Sequence, residues 1–242
     1  SKPLGMKGAI IYIINQKKGL TMFQKLRKSK KLVLIAMACA TFAIAGCGSD
    51  TTKNAADNGK AVTWSETFDG TKTDFAVKSS PTRAVSMSQA TTEMMLQLGL
   101  EDKMAGTAFK EEEIYPPLQA SYDKVKVLAE KWPSYEVFMS VKPDFATGWP
   151  DSFSKRAIPA EKMIAQKVNI WIPESMLSTK ADLETNFSDM IKLGEIFGVK
   201  AKAEEWVAGQ RKTLEAIQAK LKDLPRKRVF IYDSEDGQPF TA

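Results

Sequence analysis

Three large aromatic residues stand beside prolines: Tyr115 before Pro116-Pro117, Trp132 before Pro133 and Trp149 before Pro150. Proline interrupts regular backbone, so rings in such loops are less readily core fillers than rings on strands. There they can cover the flat face of a rigid chelate or macrocycle, with Tyr adding a polar tip; local packing is the alternative for each. Ser86 and Ser88 end a strand-like run ahead of a helix, a place for N-capping first and for lining a cleft second. Glu93 falls in the expected first turn of that helix, where a carboxylate suits the dipole. Met94 and Met95 carry thioethers able to ligate haem iron, although Met on an amphipathic helix is more often core filler. Arg83, Lys155 and Arg156 are cations suited to carboxylate or catecholate oxygens.

The remaining inventory excludes more than it offers. The chain has no histidine, which argues against a site for bare zinc or manganese. It shows no nucleophile motif, no phosphate-cradling Gly loop and no metal-ligand cluster, so no enzyme activity, cofactor or resident metal is expected. The formal charge of +6 is unevenly spread: residues 1–46 hold nine Lys/Arg and no acid, leaving 26 basic against 29 acidic residues from Cys47 onward. The mature part therefore has no basic stripe for phosphates, and nucleic acid is not expected as a partner.

The basic excess belongs to a leader. Lys25-Leu-Arg-Lys-Ser-Lys-Lys31 is a positively charged run, and Leu32 to Ala45 is an apolar stretch of 14 residues broken only by Thr41, too short for a typical bilayer span. It ends in Ile44-Ala45-Gly46-Cys47, which resembles the lipobox of bacterial lipoproteins, in which the cysteine thiol receives diacylglycerol before cleavage. Cys39 would leave with the leader, so no disulfide framework is expected. Residues 1–21 precede a second plausible start at Met22 and are expected to be a ribosome-binding region translated by mistake, with 22–46 the signal peptide. Gly48 to Lys60 has Ala as its only apolar residue type and reads, with Cys47, as a flexible tether over 47–60.

The elements that must position the candidate residues alternate. Ala61 to Phe68 and Thr71 to Val77 flank Asp69-Gly70, a hairpin turn signal. Ala84 to Met87, Met104 to Thr107, Val125 to Leu128, Phe145 to Gly148 and Val168 to Ile172 read as strands. Thr91 to Leu98, Ser134 to Val141 and Ser154 to Gln166 read as helices between them, Pro159 having to lie in a first turn or divide the last. This alternation predicts an α/β lobe over 61–180 with a mainly parallel sheet and flanking helices. Ala181 to Phe197 and the long stretch Lys200 to Leu224 are amphipathic helices within 181–224. Arg228 to Tyr232 then begins a strand, so 225–242 reads as the start of a second α/β lobe that the chain does not complete.

The run Pro81-Thr-Arg-Ala-Val-Ser-Met-Ser-Gln-Ala-Thr-Thr-Glu-Met-Met-Leu-Gln-Leu-Gly99 resembles the helical-backbone substrate-binding proteins that serve ABC importers of siderophores, haem and cobalamin. Tyr115-Pro116-Pro117, Tyr135-Glu136-Val137 through Lys142-Pro143-Asp144, Lys200 to Leu224 and Gly237-Gln-Pro-Phe-Thr241 follow in that family's order. The resemblance covers Val62 to Ala242 and rests on order rather than on one motif. It implies two α/β lobes joined by a rigid backbone helix, with a ligand held in the cleft between them and no chemistry performed on it. It places Tyr115, Trp132, Trp149 and Ser88 at the first lobe's cleft, and Glu136 where the family docks on permease arginines; Glu136 as a mere complement to its helix dipole is the alternative. The implied protein is a monomeric, exported lipoprotein anchored to the membrane through Cys47. It would deliver a ferric siderophore, or else haem or cobalamin, to an ABC permease with its ATPase. A non-functional truncated product is the remaining alternative.

Overall fold

A computed structural model describes residues 60–225, 227–228, 232–235 and 239–241. Cys47 and the expected leader and tether lie outside the described residues. The chain opens with a hairpin of β1 (Val62–Phe68) and β2 (Thr71–Val77), paired antiparallel from Val62↔Val77 to Phe68↔Thr71. Its two-residue turn puts Asp69 at φ 48° and Gly70 at φ 81°, the pair of positive values that matches the twist of the flanking strands.

Five parallel strands follow: β3 (Ala84–Ser86), β4 (Met104–Ala108), β5 (Val127–Ala129), β6 (Phe145–Thr147) and β7 (Asn169–Trp171), in the order β5-β4-β3-β6-β7. The helices between and after them are α1 (Gln89–Gln97), α2 (Gln119–Tyr122), α3 (Tyr135–Ser140), α4 (Ala160–Ala165), α5 (Glu174–Leu177), α6 (Leu183–Ile196) and α7 (Lys200–Leu221). A short antiparallel pair, β8 (Tyr232–Glu235) and β9 (Pro239–Thr241), comes last.

Alternation along the strands sends side chains to two cores. Ala84, Phe145 and Trp171 pack with Met95 and Leu98 of α1, Phe187, Met190 and Leu193 of α6 and Ala203 and Val207 of α7. Val85, Met87, Ala146, Ile170 and Ile172 face the other way, toward Phe138 of α3 and Met163 of α4. Gly106 lets β4 and β5 lie together over a bulky neighbour, since a Cβ there would sit 2.6 Å from Leu128 Cγ.

The hairpin closes the β7 edge with side chains instead of a ladder. Trp64 donates its indole N–H to Ile170 O at 2.7 Å, and Glu66 accepts the Ile172 N–H at 2.9 Å. These two residues on β1 thus satisfy alternate backbone groups of an edge that would otherwise be bare.

The α/β lobe with its parallel sheet agrees with the sequence reading, while several element boundaries differ. Ser154 to Gln166 is not one helix: Pro150–Phe153 is a 3-10 turn, and α4 begins only after Pro159, whose φ of −55° and missing N–H suit the residue that precedes a helix. Of the strand expected over Arg228 to Tyr232, residues 229–231 lie outside the described residues and Tyr232 opens β8; of the turn expected at Gly237 to Thr241, Pro239–Thr241 form β9.

Candidate functional site

β3 is followed by a connection to β4 on one side, while β6 lies on its other side. The sheet therefore has a topological switch point between β3 and β6, where open parallel sheets form a crevice beyond their C-terminal ends. The residues leaving these strands are Met87-Ser88 and Gly148-Trp149. They are drawn close, for the Met87 N–H donates to Thr147 O at 2.8 Å and a Cβ on Gly148 would lie 3.1 Å from Met87 Cβ.

Trp132 reaches this point from the loop after β5. Its indole N–H donates to Met87 O at 3.2 Å, and its ring stacks on Phe109 at a centroid distance of 4.7 Å. Sequence reasoning missed Phe109, which leaves β4 with φ 60°, a conformation unusual for a bulky residue. No local signal marks it, because the strain arises from the loop's path. Trp149 is half-buried, and its indole nitrogen is buried without an acceptor at hydrogen-bond geometry. The indole is nevertheless near enough to Glu111 to oppose part of that carboxyl's upward pKa shift, which burial causes first and Glu112 reinforces.

Gln89 organises the next rim loop. Its side-chain oxygen accepts the N–H groups of Glu111 at 2.8 Å and Glu112 at 2.7 Å, and its amide donates to Glu93 at 2.9 Å. Glu93 in turn accepts the Tyr115 N–H at 3.2 Å, so the backbone at Tyr115 is hung from α1. This corrects the dipole role expected of Glu93: α1 starts at Gln89, which puts Glu93 beyond the first turn. Tyr115 itself is half-buried against the cluster of Leu96, Ile114 and Leu118.

Ser88 is wholly buried and caps α1, accepting the Thr91 N–H at 3.2 Å and pairing with the Thr91 hydroxyl at 2.8 Å. Ser86, also wholly buried, joins Thr91, Thr92 and Thr107 in a chain of hydroxyls. Both serines support the crevice from beneath and neither lines it. Met95 is wholly buried and Met94 packs against the same core, the filler role of thioethers.

The expected cations are not brought together. Arg83 precedes β3, at the opposite end of the sheet, and its guanidinium is bonded to Val141 O at 2.9 Å and Lys142 O at 3.1 Å. Arg156 pairs with Asp151 at 2.8 Å, and Lys155 is exposed. Among the described residues no group of His, Cys, Asp and Glu is arranged to hold a metal ion.

Glu136 lies in the first turn of α3, fully exposed beside Val137, which is 40% exposed. Its carboxyl is held below its ordinary value, first by its own backbone N–H and then by the Ser134 hydroxyl, so it carries a full negative charge at neutral pH.

Comparison with known proteins gives concordant results. The family model described as periplasmic binding protein matches residues 85–242. An uncharacterized ABC transporter substrate-binding lipoprotein of Bacillus subtilis is 26% identical over 223 residues, which cover 89% of this chain and 67% of that protein. The crystal structure of a periplasmic binding protein from Veillonella parvula is 92% identical with a TM-score of 0.75, over 76% of this chain and 62% of that one. The chain thus spans about three fifths of the Veillonella protein. A petrobactin-binding protein of Bacillus subtilis shares the fold at 19% identity and a TM-score of 0.55, over 75% of this chain and 60% of that one.

Proposed function

The chain belongs to the periplasmic binding protein family, and from that premise we propose that it captures an iron-chelate ligand of siderophore type and delivers it to an ABC importer. The observation that carries this reading is the convergence on Met87 of aromatic loops from separate strands. Trp132, stacked on Phe109, bonds to Met87 O, and Trp149 follows the glycine packed on Met87. Rings so held offer apolar faces to a rigid ligand at the crevice where parallel sheets bind theirs. Tyr115, tied to the same rim through Glu93, adds a third ring and a hydroxyl. In this reading the site works by fit.

The delivery step assigns two further residues. Glu136 meets an arginine of the permease, for which its exposure and full charge suit it. Cys47 is the lipid-bearing residue that keeps the protein at the outer face of the membrane, with residues 47–60 as the tether. The protein acts as a monomer, its partners being the ligand, the permease with its ATPase and the membrane.

The test is titration of the full-length protein with a ferric hydroxamate, a ferric catecholate, haem and cyanocobalamin, following tryptophan fluorescence. Saturable quenching by a ferric chelate, lost in Trp132→Ala, is the expected result. Saturation by haem or cobalamin alone would move the ligand to that class, and no saturation by any would overturn the reading.

A further inference from the structure

β1 presents Val62, Trp64, Glu66 and Phe68 to the sheet and Thr63, Ser65 and Thr67 to solvent. A carboxylate thus occupies a position in an otherwise apolar row, and Glu66 is only 5% exposed. On α6, Asp189 is 4% exposed at a position that likewise faces the core. Such groups are costly to bury and need partners.

Both find theirs in one short segment. Glu66 accepts the Ile172 N–H at 2.9 Å, and Asp189 accepts the N–H groups of Glu174 at 2.8 Å and Ser175 at 2.9 Å. Pro173 has no N–H, so every backbone donor from Ile172 to Ser175 is held by one of two buried carboxylates. This segment leaves the C-terminal end of β7, next to the strand that carries Trp149.

We propose that Glu66 and Asp189 are positioning residues for this rim of the binding crevice, through which the N-terminal hairpin and α6 brace Ile172–Ser175 from two separate elements. The importance of the rim rests on the binding function proposed above; the brace itself does not.

The brace titrates near neutrality. Burial raises the Glu66 carboxyl from 4.5 to about 7; the Ile172 N–H opposes this, and the charges of Glu174 on α5 and Asp189 on α6 add to it. Asp189 is raised as well, by burial first. Lys192 of α6 turns to the hairpin elsewhere, donating to Thr63 O at 2.9 Å. A carboxyl whose docked value is raised holds best when protonated: its contribution is complete below 4.5 and is lost as pH rises through 7. The full span corresponds to a change of about 300-fold in the docked-to-undocked ratio, of which about 10-fold falls between pH 6 and 8.

Amide hydrogen exchange on the whole chain, expressed as protection factors so that intrinsic pH dependence cancels, tests this without a ligand. Protection of Ile172 should fall by about 10-fold from pH 6 to pH 8, while Ala146 in the interior strand β6 changes less. In Glu66→Gln, which keeps an acceptor but no charge, protection at Ile172 should change much less between the two pH values, with Asp189 as the remaining carboxyl on the segment. Asp189→Asn should lower the Glu66 midpoint seen by carboxyl carbon NMR. Flat protection in the wild type, an unchanged pH dependence in Glu66→Gln, or an unmoved midpoint in Asp189→Asn would each overturn the brace. If the brace behaves as stated and no chelate binds, the binding function falls and the brace stands.

Discussion

Trp132 is a wedge between the end of β3 and the loop after β4 and, in the function proposed above, a face offered to ligand; replacing it by Phe and by Ala separates the two roles. Phe keeps a ring to stack on Phe109 and loses the indole bond to Met87 O. That carbonyl still accepts the Ser152 hydroxyl at 3.3 Å, so no buried acceptor is orphaned and the cost is about 1 kcal/mol, the net worth of one hydrogen bond. Ala also removes the stack, worth about 0.5–1.5 kcal/mol, and most of the ring's burial. A wholly buried Trp→Ala change costs about 3–5 kcal/mol; for this half-buried ring about 2–3 kcal/mol is expected. Urea unfolding followed by far-UV circular dichroism reads both. With a slope of about 2 kcal/mol per molar, the midpoint should drop by about 0.5 M for Phe and about 1–1.5 M for Ala. Ligand affinity should survive in Phe and fall by about 10- to 100-fold in Ala, as loss of roughly 100 Å² of apolar contact implies. Equal midpoints for the two variants would show that the ring does not wedge the loops apart. Equal loss of affinity would show that the ring face is not what the ligand meets.

Gly106→Ala should destabilise the protein by about 1–3 kcal/mol, because the new Cβ lies 2.6–2.8 Å from three Leu128 carbons. Adding Leu128→Ala should recover part of that loss in the same urea assay, and no recovery would locate the strain elsewhere. Glu136→Lys should leave the melting temperature and ligand affinity near wild type and abolish uptake into vesicles bearing the permease; normal uptake would remove the docking role. Cys47→Ser should shift the protein from the membrane pellet to the soluble fraction, and retention of a mature-sized Cys47→Ser protein would exclude the thiol as the anchor.

The parts of this fold that were legible in sequence are those with a local cause. Asp69-Gly70 sets its turn by backbone preference, Ser88 caps the helix it precedes, and the alternation of strands and helices foretold the parallel sheet. What escaped depends on direction and distance. Arg83 and Trp149 look equally available along the chain, but one enters a strand at its N-terminal end and the other leaves a strand at its C-terminal end, so the sheet separates them. Gln89 gave no hint that it holds the Lys110–Tyr115 loop, since its partners are backbone groups 22 and 23 residues away. Glu66 did leave a trace: it interrupts an alternating apolar row at Trp64 and Phe68, and a carboxylate in that register needs a buried partner. The aromatic loops were recognisable from their prolines, although the stack on Phe109 was not.

The two edges of the parallel sheet are guarded by unlike means. β7 is sealed by hydrogen bonds from Trp64 and to Glu66, contacts that do not depend on the screening of opposed charges. β5 is short, exposes Val127 to 50%, and is flanked by the exposed charges of Lys124, Lys126, Glu130 and Lys131. Charge is a screenable defence and a covalently tethered side chain is not. In concentrated salt solutions strand addition therefore has one edge to use per sheet. Two molecules joined edge to edge through β5 would use that edge of both, so pairing through the five-stranded sheet offers no second β5 edge to a third molecule.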